Sequence, residues 1–516
     1  MSKSRFERLG RLDLAILVYA VFVAGLCSIV YELLIATVVS YFEGDPITYF
    51  STTIGIYMAA MGIGAYCSKF ITTRIISFFV ISELLLATVG GLSVPLLYIY
   101  FANGDWFFVI YFSLTFFIGV LIGLEIPLLT RIMGRYSGLR ETIASVLSLD
   151  YLGALVASIA FPLILLPWLG LLASGVLIGA INSTIAIVVA WRFRKQLHKL
   201  RNILMALGGG LAVALVGLLF TSDVLLNLWR QDVYDGRILH AERSFYQEIV
   251  LTTFRGDLRL YLDGNLQFSS DDEYRYHEAL VHTPVSLLER SPTNVLVLGG
   301  GDGLVLRELL KHSDVKSITL VELDPAVLSL GQMNSRIKEL NRDAFSDPRV
   351  KVIIADAFKV LEKRSKMYDL IIADLPDPNN AALARLYTRD FYSIVRLALA
   401  PGGLFVTQAT SPYYAERAFR AMRAAIGIEF KETAAYHLWL PSFGDWGFII
   451  AGSMPINPAK ADPNRLKGLR FLTTKTLSSL FVFPPPADNL PPVEIATLDR
   501  PVILSYYLEG WKKWRN

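Results

Sequence analysis

Residues 294–303 read NVLVLGGGDG and join a short apolar run to a cluster of glycines. The apolar run over 295–298 is typical of a buried β-strand, and the residues over 304–311 favour a helix. Glycine allows a tight turn between the two and lets the backbone approach a ligand closely. Such a turn suits NAD, FAD or a sulfonium nucleoside, and the G-x-G-x-G spacing that begins with Gly299 and Gly301 favours an S-adenosyl ligand.

The alternation of strand and helix continues along the chain after this turn. It implies an α/β Rossmann-like domain with a doubly wound, mainly parallel sheet. A small β subdomain precedes it, because residues 248–253 and 259–263 alternate in polarity and are followed by the turn sequence Asp263-Gly264-Asn265. The further predicted strands are 318–321, 350–354, 370–373, 404–407 and 448–451, and the further predicted helix is 389–399.

Two acids end neighbouring strands of this predicted sheet. Glu322 ends the second strand, about 20 residues after the glycine turn, where a carboxylate can accept hydrogen bonds from both ribose hydroxyls. Asp356 ends the third strand, where it can meet an adenine amino group. Either acid can instead be a solvated strand end. Ligands of such sheets bind at the carboxyl ends of the strands, so the shared position favours ligand binding.

The amino-terminal part of the chain predicts a multi-pass α-helical membrane domain. The whole sequence is 53% hydrophobic and 18% charged, which suits a protein partly dissolved in lipid. Its apolar stretches are each close to or above the roughly 20 residues that a membrane-spanning helix needs. Further stretches follow the first, which argues against a cleavable signal peptide. The seven predicted spans are 14–42, 51–67, 76–101, 106–129, 143–166, 171–189 and 203–220.

The segments that connect these spans alternate in charge. Basic segments belong on the cytoplasmic side, which predicts a cell-membrane protein with a cytoplasmic amino terminus. The basic residues are Lys3, Arg5, Arg8, Arg11, Lys69, Arg74, Arg131, Arg135, Arg140, Arg192, Arg194, Lys195, Lys199 and Arg201, and the acidic residues are Glu43, Asp45 and Asp105.

Acidic side chains also occur within or at the edges of the spans. Acids at membrane depth are costly, and they either mark a path for ions or cationic substrate or face one another and stabilise packing. Both interpretations stay open. Close helix approach is expected at Gly119 and Gly123, which are four residues apart. The acids are Glu32, Glu83, Glu125 and Asp150.

Composition also excludes some classes of protein. The net charge of +4 is small and no basic tract interleaves with aromatic residues, which argues against a nucleic-acid partner. Cys27 and Cys67 both lie in apolar runs and form no disulfide framework.

Several motifs occur in order around the glycine turn, and together they identify a protein family more specifically than any single motif. In order they are SFYQ at 244–247, LDGNLQ at 262–267, DEYRYHE at 272–278, GGGDG at 299–303 followed by RE at 307–308, VELD at 321–324 and YDLIIADLPDP at 368–378. They resemble the successive signatures of the polyamine aminopropyltransferase (spermidine synthase) family over about 242–452. The whole chain is similar to the membrane-anchored bacterial branch, where the Asp-Ser-Ser-Asp-Pro of soluble enzymes becomes Asp-Leu-Pro-Asp-Pro.

The resemblance implies transfer of an aminopropyl group from decarboxylated S-adenosylmethionine, the co-substrate, to putrescine or a related amine. The products would be spermidine, or an analogue, and methylthioadenosine. It implies no metal or prosthetic group, and it raises a homodimer as a hypothesis. By the same resemblance Asp374 is the base and Asp377, Tyr276 and Gln408 form the amine site. The implied nucleoside-binding residues are Gln247, Gln267, His277, Gly299, Gly301, Asp302, Glu322, Asp356 and Ala357.

The residues themselves leave alternatives at the amine site. Asp374 can be a helix N-cap, Asp377 followed by proline can be a turn, and His277 can be a buried hydrogen-bonding residue. This chain also departs from the family. It has Leu-Pro where soluble enzymes have two serines, and its loop 440–444, LPSFG, lacks the tyrosine of the family's Tyr-Pro-Ser-Gly. Acceptor identity is therefore less constrained than reaction class.

These observations predict four regions: a seven-helix transmembrane domain over 1–222, a linker and small β subdomain over 223–290, a catalytic domain over 291–455, and a carboxyl-terminal extension over 456–516. No chemical role is predicted for the extension. An S-adenosylmethionine-dependent methyltransferase and a non-catalytic polyamine-binding or transport protein stay as alternatives, since fold alone does not decide chemistry. Seven crossings would place the catalytic domain outside the cell, whereas the donor is made inside, so its side stays open.

Overall fold

The computed structural model describes residues 11–43, 46–103, 106–134, 138–197, 200–363, 367–485 and 490–514. The chain forms two compact units, Met1–Asp235 and Gly236–Asn516. The division follows Asp235 rather than residue 222, because the last helix of the first unit continues to Val233. Some of the charges used to predict orientation lie outside the described residues: Lys3, Arg5, Arg8, Asp45, Asp105, Arg135 and Lys199.

Within its described residues, the first unit is helical. Among the described residues, six helical stretches are long and apolar enough to cross a membrane, by length and composition. The count is six rather than seven because the fifth and sixth predicted spans share one continuous stretch, Arg140–Arg192. The helices are α1 Arg11–Glu43, α2 Pro46–Cys67, α3 Ile75–Gly91, α4 Ser93–Asn103, α5 Phe107–Met133, α6 Leu139–Ala160, α7 Leu166–Arg192, α8 Arg194–Leu197 and α9 Leu200–Val233.

The shared stretch turns back on itself at Gly170. This glycine has φ 74° and ψ −177°, which is not a helical conformation. Across it, the Ser174 hydroxyl donates a 3.1 Å hydrogen bond to the carbonyl of Leu165. In a straight helix, residues nine apart would be separated by about 13 Å at 1.5 Å per residue. The stretch therefore contains two arms, which correspond to the predicted spans 143–166 and 171–189.

Two helices of the first unit approach closely at the predicted glycine pair. A Cβ atom on Gly123 would lie 2.1 Å from the carbonyl oxygen of Met61, and one on Gly119 would lie 2.7 Å from Cβ of Ala60. Any larger side chain there would push α2 and α5 apart. The expectation of close helix approach at Gly119 and Gly123 is confirmed.

The acids of the first unit do not share one environment. Glu83 on α3 and Glu125 on α5 are fully buried, whereas Glu32 and Asp150 are partly exposed. The carboxyl groups of Glu83 and Glu125 lie within hydrogen-bonding range of each other. Apart from the carboxyl group of Glu125, no donor among the described residues reaches either carboxyl oxygen of Glu83. Packing and an ion path both stay predictions for these acids.

The second unit begins with a four-stranded antiparallel sheet in the order β1-β2-β3-β4. Its turn between β3 and β4 has φ 46° at Asp263 and φ 77° at Gly264, the left-handed pair that a two-residue hairpin requires. The predicted β subdomain and its turn are confirmed. The strands are β1 Arg237–Arg243, β2 Glu248–Phe254, β3 Asp257–Leu262 and β4 Asn265–Ser269.

A seven-stranded sheet in the order β10-β11-β9-β8-β5-β6-β7 follows. The strands from β9 to β7 are parallel, and β11 and β10 add an antiparallel edge, which confirms the mainly parallel Rossmann-like sheet. Strand order reverses between β8 and β5, the point at which such sheets bind ligands. The strands are β5 Asn294–Gly299, β6 Ser317–Glu322, β7 Val350–Ile354, β8 Tyr368–Asp374, β9 Leu399–Gln408, β10 Glu432–Leu440 and β11 Gly444–Gly452.

The helices of this unit are α10 Glu273–Leu287, α11 Leu304–Leu309, α12 Pro325–Met333, α13 Ser335–Leu340, α14 Ala357–Leu361, α15 Ala381–Ala384, α16 Arg389–Ala398, α17 Glu416–Glu429, α18 Thr474–Leu480 and α19 Val502–Lys512. They cover both faces of the sheet. On β5, Leu296 and Leu298 pack into one apolar core, while Val295 and Val297 pack into the other. Alternate residues of a strand point to opposite faces, which explains why the central strands are apolar throughout.

Candidate active site

A cavity of ≈ 370 Å³ lies where β5, β6 and β8 end. Sequence-predicted residues from the β subdomain, the glycine turn, the strand ends and α10 all line it. The sheet brings them together because parallel strands present their carboxyl ends at the same edge. The lining includes Gln247, Gln267, Tyr276, His277, Gly299, Gly301, Asp302, Glu322, Asp356, Ala357, Asp374, Asp377 and Gln408.

The glycine turn joins the two ends of this cavity. Gly299 has φ 79°, and a Cβ atom there would lie 2.1 Å from the carbonyl oxygen of Asp374. A Cβ atom on Gly301 would lie 2.8 Å from Oε2 of Glu322. Glycine is therefore required at 299, where β5 ends against Asp374, and a side chain at 301 would displace the carboxylate of Glu322.

Glu322 occupies the position expected of a ribose-binding acid. Its Oε1 accepts hydrogen bonds from the backbone N–H groups of Leu323 and Asp324, at 2.8 and 3.0 Å. Burial raises the pKa of Glu322 to about 7, although these backbone donors oppose the effect. Gln247 is held nearby, since its Nε2 donates to Oδ2 of Asp324 at 3.0 Å. The loop of the β subdomain is thereby attached to the end of β6.

Asp356 has a structural partner at each carboxyl oxygen. Its Oδ1 caps α14 by accepting the N–H of Phe358 at 2.9 Å, and its Oδ2 pairs with Arg385 at 2.5 Å. Arg385 also lines the cavity, and the sequence analysis did not identify it. Nothing in the local sequence pairs two residues that are so far apart in the chain.

Asp374 stands at the end of β8 and caps no helix. The Tyr276 hydroxyl donates a 2.7 Å hydrogen bond to Oδ1 of Asp374. Burial raises the pKa of Asp374, while the charge of His277 and the Tyr276 hydrogen bond oppose the rise. The side chain is therefore oriented and more basic than an exposed aspartate.

His277 belongs to a buried ionic network behind the cavity. Its Nδ1 lies 2.8 Å from Oε2 of Glu273, and Glu273 also receives two 2.8 Å hydrogen bonds from Arg307. Burial opposes ionisation of His277, but the hydrogen bond and charge of Glu273 outweigh it and raise the pKa of His277 to about 9. The histidine is thus both a cavity residue and a buried hydrogen-bonding residue.

Asp377 is held by side chains from several elements. Gln408 donates to its Oδ1 at 3.1 Å, and the Thr410 hydroxyl donates to its Oδ2 at 3.2 Å. A hydrogen bond with Tyr507 adds a third partner. Burial raises the pKa of Asp377 to about 6, and these hydrogen bonds oppose the rise.

The carboxyl-terminal extension supplies part of the cavity wall, a contribution that the sequence analysis missed. Tyr507 and Trp511 of α19 line the cavity together with Phe443 and Trp446. One signal was present in the sequence: residues 507 and 511 are four apart and therefore share a helix face. The four-residue spacing does not show which part of the protein the shared helix face packs against.

Comparisons with known proteins identify relatives of this chain. The family model described as the Spermine/spermidine synthase domain matches residues 273–460. A polyamine aminopropyltransferase of Leptospira interrogans is 38% identical over 96% of this chain and 98% of its own length. Polyamine aminopropyltransferase 2 of Ralstonia nicotianae is 41% identical over 96% of this chain and 98% of its own length.

Solved structures of spermidine synthase resemble part of the chain. One, in complex with the transition state analogue AdoDATO, is 29% identical, covers 48% of this chain and 86% of its own, and has a TM-score of 0.45. Another, from Thermotoga maritima, is 30% identical with the same TM-score of 0.45, over 48% of this chain and 85% of its own. Because the two aminopropyltransferases match nearly the whole length of the chain, the chain belongs to the polyamine aminopropyltransferase family. These transferases move an aminopropyl group from decarboxylated S-adenosylmethionine to an amine.

Proposed function

We propose that Asp374 is the general base of the transfer and that Asp377 holds the acceptor amine. The observation that carries this assignment is the position of Asp374, at the end of β8 beside the glycine turn, with Oδ1 oriented by Tyr276. Attack requires a neutral nitrogen, whereas a diamine is a dication near neutral pH. An aspartate with the reference pKa of about 3.9 is a weak base for a free ammonium. It becomes competent as the C–N bond forms and the nitrogen grows more acidic.

The charges of the amine end favour a cationic acceptor such as putrescine. Asp377 receives neutral hydrogen-bond donors from Gln408, Thr410 and Tyr507. Asp374 likewise receives a neutral hydroxyl from Tyr276. The two carboxylates therefore attract an ammonium group, and the product is spermidine or an analogue. Tyr276 and Gln408 shape this end by orienting the two acids.

The opposite end of the cavity suits the nucleoside of decarboxylated S-adenosylmethionine. Glu322 receives the ribose, and Asp356 with Ala357 receives the adenine. The remaining predicted residues enclose the sulfonium and ribose: Gln247, Gln267, His277, Gly299, Gly301 and Asp302. Asp302 and Asp374 both lie near His277, so the region carries more acid than base. This balance favours the cationic donor over S-adenosylmethionine, whose carboxylate would be repelled.

The first unit is proposed to span the cell membrane seven times. The Arg131 guanidinium donates to the carbonyls of Ser68 and Ile71 at 2.7 and 2.8 Å, which joins the ends of α2 and α5. An ion pair between Arg192 and Asp13 joins the end of α7 to the beginning of α1. These ends carry the basic residues and therefore belong in the cytoplasm.

The chain leaves the membrane on the opposite side. The Trp229 indole N–H donates a 2.9 Å hydrogen bond to the carbonyl of Tyr98, near the ends of α9 and α4. The carboxyl ends of α9 and α4 lie one membrane crossing away from the basic helix ends that are assigned to the cytoplasm. This supports a catalytic unit outside the cell. Separate phosphatase and fluorescent-protein fusions after Asn516 test this: phosphatase activity without fluorescence is expected, and the reverse would contradict it. A homodimer stays a prediction.

Full-length protein in detergent tests the function. It is incubated with either decarboxylated S-adenosylmethionine or S-adenosylmethionine, together with a panel of diamines and polyamines, and the products are weighed by mass spectrometry. Methylthioadenosine and an aminopropylated diamine are expected from the decarboxylated donor alone. Methylated amine formed from S-adenosylmethionine would contradict the proposal.

A further inference from the structure

We infer that the carboxyl-terminal helix α19 completes the acceptor site. In this inference, Tyr507 binds the acceptor ammonium together with Asp377, and Trp511 limits the length of the acceptor. It rests on the proposed role of Asp377 as the residue that holds the amine. The helix lies in the extension over 456–516, beyond the matched domain that ends at residue 460.

Tyr507 is positioned to act on the amine through its hydroxyl group. It is 8% exposed, lines the cavity and hydrogen bonds with Asp377. A carboxylate has about four lone-pair sites, and three side chains reach that of Asp377. The remaining capacity suits one ammonium. A phenol that donates to Asp377 keeps its own lone pair for a second N–H of the same ammonium.

Tyr507 supplies a phenol that the loop over 440–444 lacks. The loop over 440–444 has leucine where the family's Tyr-Pro-Ser-Gly has tyrosine, and Leu440 is 1% exposed within an apolar core. Leucine has no hydroxyl group, and this buried position offers the amine no polar contact. Tyr507 provides one from a different segment of the chain.

A row of aromatic rings begins at this phenol and continues along the cavity wall. Trp511 lies 6.2 Å from Tyr507 and 6.5 Å from Trp446, and Trp446 lies 5.1 Å from Phe443, measured between ring centroids. Such rings pack against methylene groups and attract cations through their faces. They cannot move aside without disturbing one another, so a longer acceptor would clash with Trp511. The wall therefore selects acceptors by the number of methylenes.

The packing of α19 holds these side chains in place. A Cβ atom on Gly510 would lie 2.7 Å from Cα of Ala415, so the helix touches the backbone before α17. The Arg417 guanidinium lies 3.9 Å from the ring centroid of Tyr506 and pairs with Glu509 at 3.0 Å. Tyr506 is directed away from the cavity, since its hydroxyl accepts the N–H of Glu494 at 3.3 Å. It provides a matched control.

The first test compares Tyr507→Phe with Tyr506→Phe in the full-length protein, using steady-state kinetics with putrescine. Hydrogen bonds to charged groups contribute enough that Tyr507→Phe should raise the amine KM by about 10-fold or more. The donor KM should not change, and Tyr506→Phe should leave both KM values near wild type. An unchanged amine KM in Tyr507→Phe overturns the inference. Equal changes in both variants, with the donor KM also raised, assign Tyr507 a structural role and overturn it too.

The second test measures acceptor length with Trp511→Leu, which keeps an apolar side chain in the helix. The ratio of kcat/KM for the four-carbon diamine to that for the five-carbon diamine should fall by about 10-fold, the scale of single-methylene discrimination. An unchanged ratio overturns the role of Trp511. Asp377→Asn separates this inference from the proposed function. If that variant keeps the wild-type amine KM, Asp377 does not hold the amine, whereas failure of Tyr507→Phe or Trp511→Leu alone leaves Asp377 in place.

Discussion

The hydroxyl group of Tyr276 donates a 2.7 Å hydrogen bond to Oδ1 of Asp374. Tyr276 lies on α10 and Asp374 ends β8, so the bond forms only when the helix packs against the sheet. The other carboxylate oxygen of Asp374, Oδ2, does not receive this hydrogen bond. In a general base, such a contact decides which oxygen is presented to the substrate and in which direction.

Tyr276→Phe should therefore lower kcat by about 10-fold, because one hydrogen bond to a charged group is lost while the ring is retained. The ring packs 5.3 Å from that of Phe448, so the substitution keeps the apolar contact. Nucleoside affinity, measured by calorimetry, should stay near wild type. A normal kcat would show that Asp374 is oriented by other contacts.

Asp374→Asn should lower kcat by about 10²-fold or more, the usual scale of general-base catalysis. The amide has nearly the same shape, so the donor dissociation constant should change little. Asp314→Asn, at an exposed position, is the matched control and should keep wild-type turnover. Near-normal turnover in Asp374→Asn would transfer the role of base to Asp377 or to water.

Substrate binding should release protons near pH 6.5. Burial raises the pKa of Glu322 to about 7 and that of Asp377 to about 6, so both groups are partly protonated there in the free protein. A ribose diol at Glu322 and an ammonium at Asp377 favour the ionised carboxylates. Affinity should thus increase as pH rises through 6 to 7 and level off above.

Calorimetry in buffers of different ionisation enthalpy measures the number of protons released. Donor binding should show release at pH 6.5 and much less at pH 8.5. Glu322→Gln removes one titrating group and should abolish most of the release on donor binding. Proton uptake at pH 6.5 would contradict the ionised state assigned to Glu322.

Gly123→Ala should destabilise the first unit by about 1–3 kcal/mol, the usual cost of overpacking. The new Cβ atom would lie 2.1 Å from the carbonyl oxygen of Met61 and force α2 away from α5. Gly62→Ala is the control, because a Cβ atom there meets nothing within 4 Å. Thermal unfolding in detergent should separate the two variants, and equal midpoints would show that α2 and α5 tolerate separation.

Much of the fold could be predicted because its signals lie in contiguous residues. The apolar run and glycines over 294–303 indicate a strand, a turn and a helix, and the structure contains β5 and α11 there. The same holds for the hairpin turn at Asp263 and Gly264, where the residue types favour positive φ. The ordered motifs also named residues that the sheet brings to one cavity.

Some elements were missed because their local patterns are ambiguous. Strand β10, Glu432–Leu440, pairs with β11 at an edge, where polar and apolar residues mix and periodicity is weak. The end of α9 was placed too early, since polar residues after Phe220 continue the helix to Val233. The sequence predicts two spans over 143–166 and 171–189, whereas helix length and hydropathy give one stretch, Arg140–Arg192. The turn at Gly170 divides that stretch in two.

The sequence by itself determined the class of the catalytic fold, the glycine turn, the acids at the strand ends and the apolar segments of the first unit. Each depends on periodicity or turn chemistry within a few residues. Only the tertiary structure decided that Tyr507 reaches Asp377 and that Arg385 pairs with Asp356. Those contacts join segments that are distant in the chain, and their partners depend on how helices pack on the sheet, which no local pattern specifies.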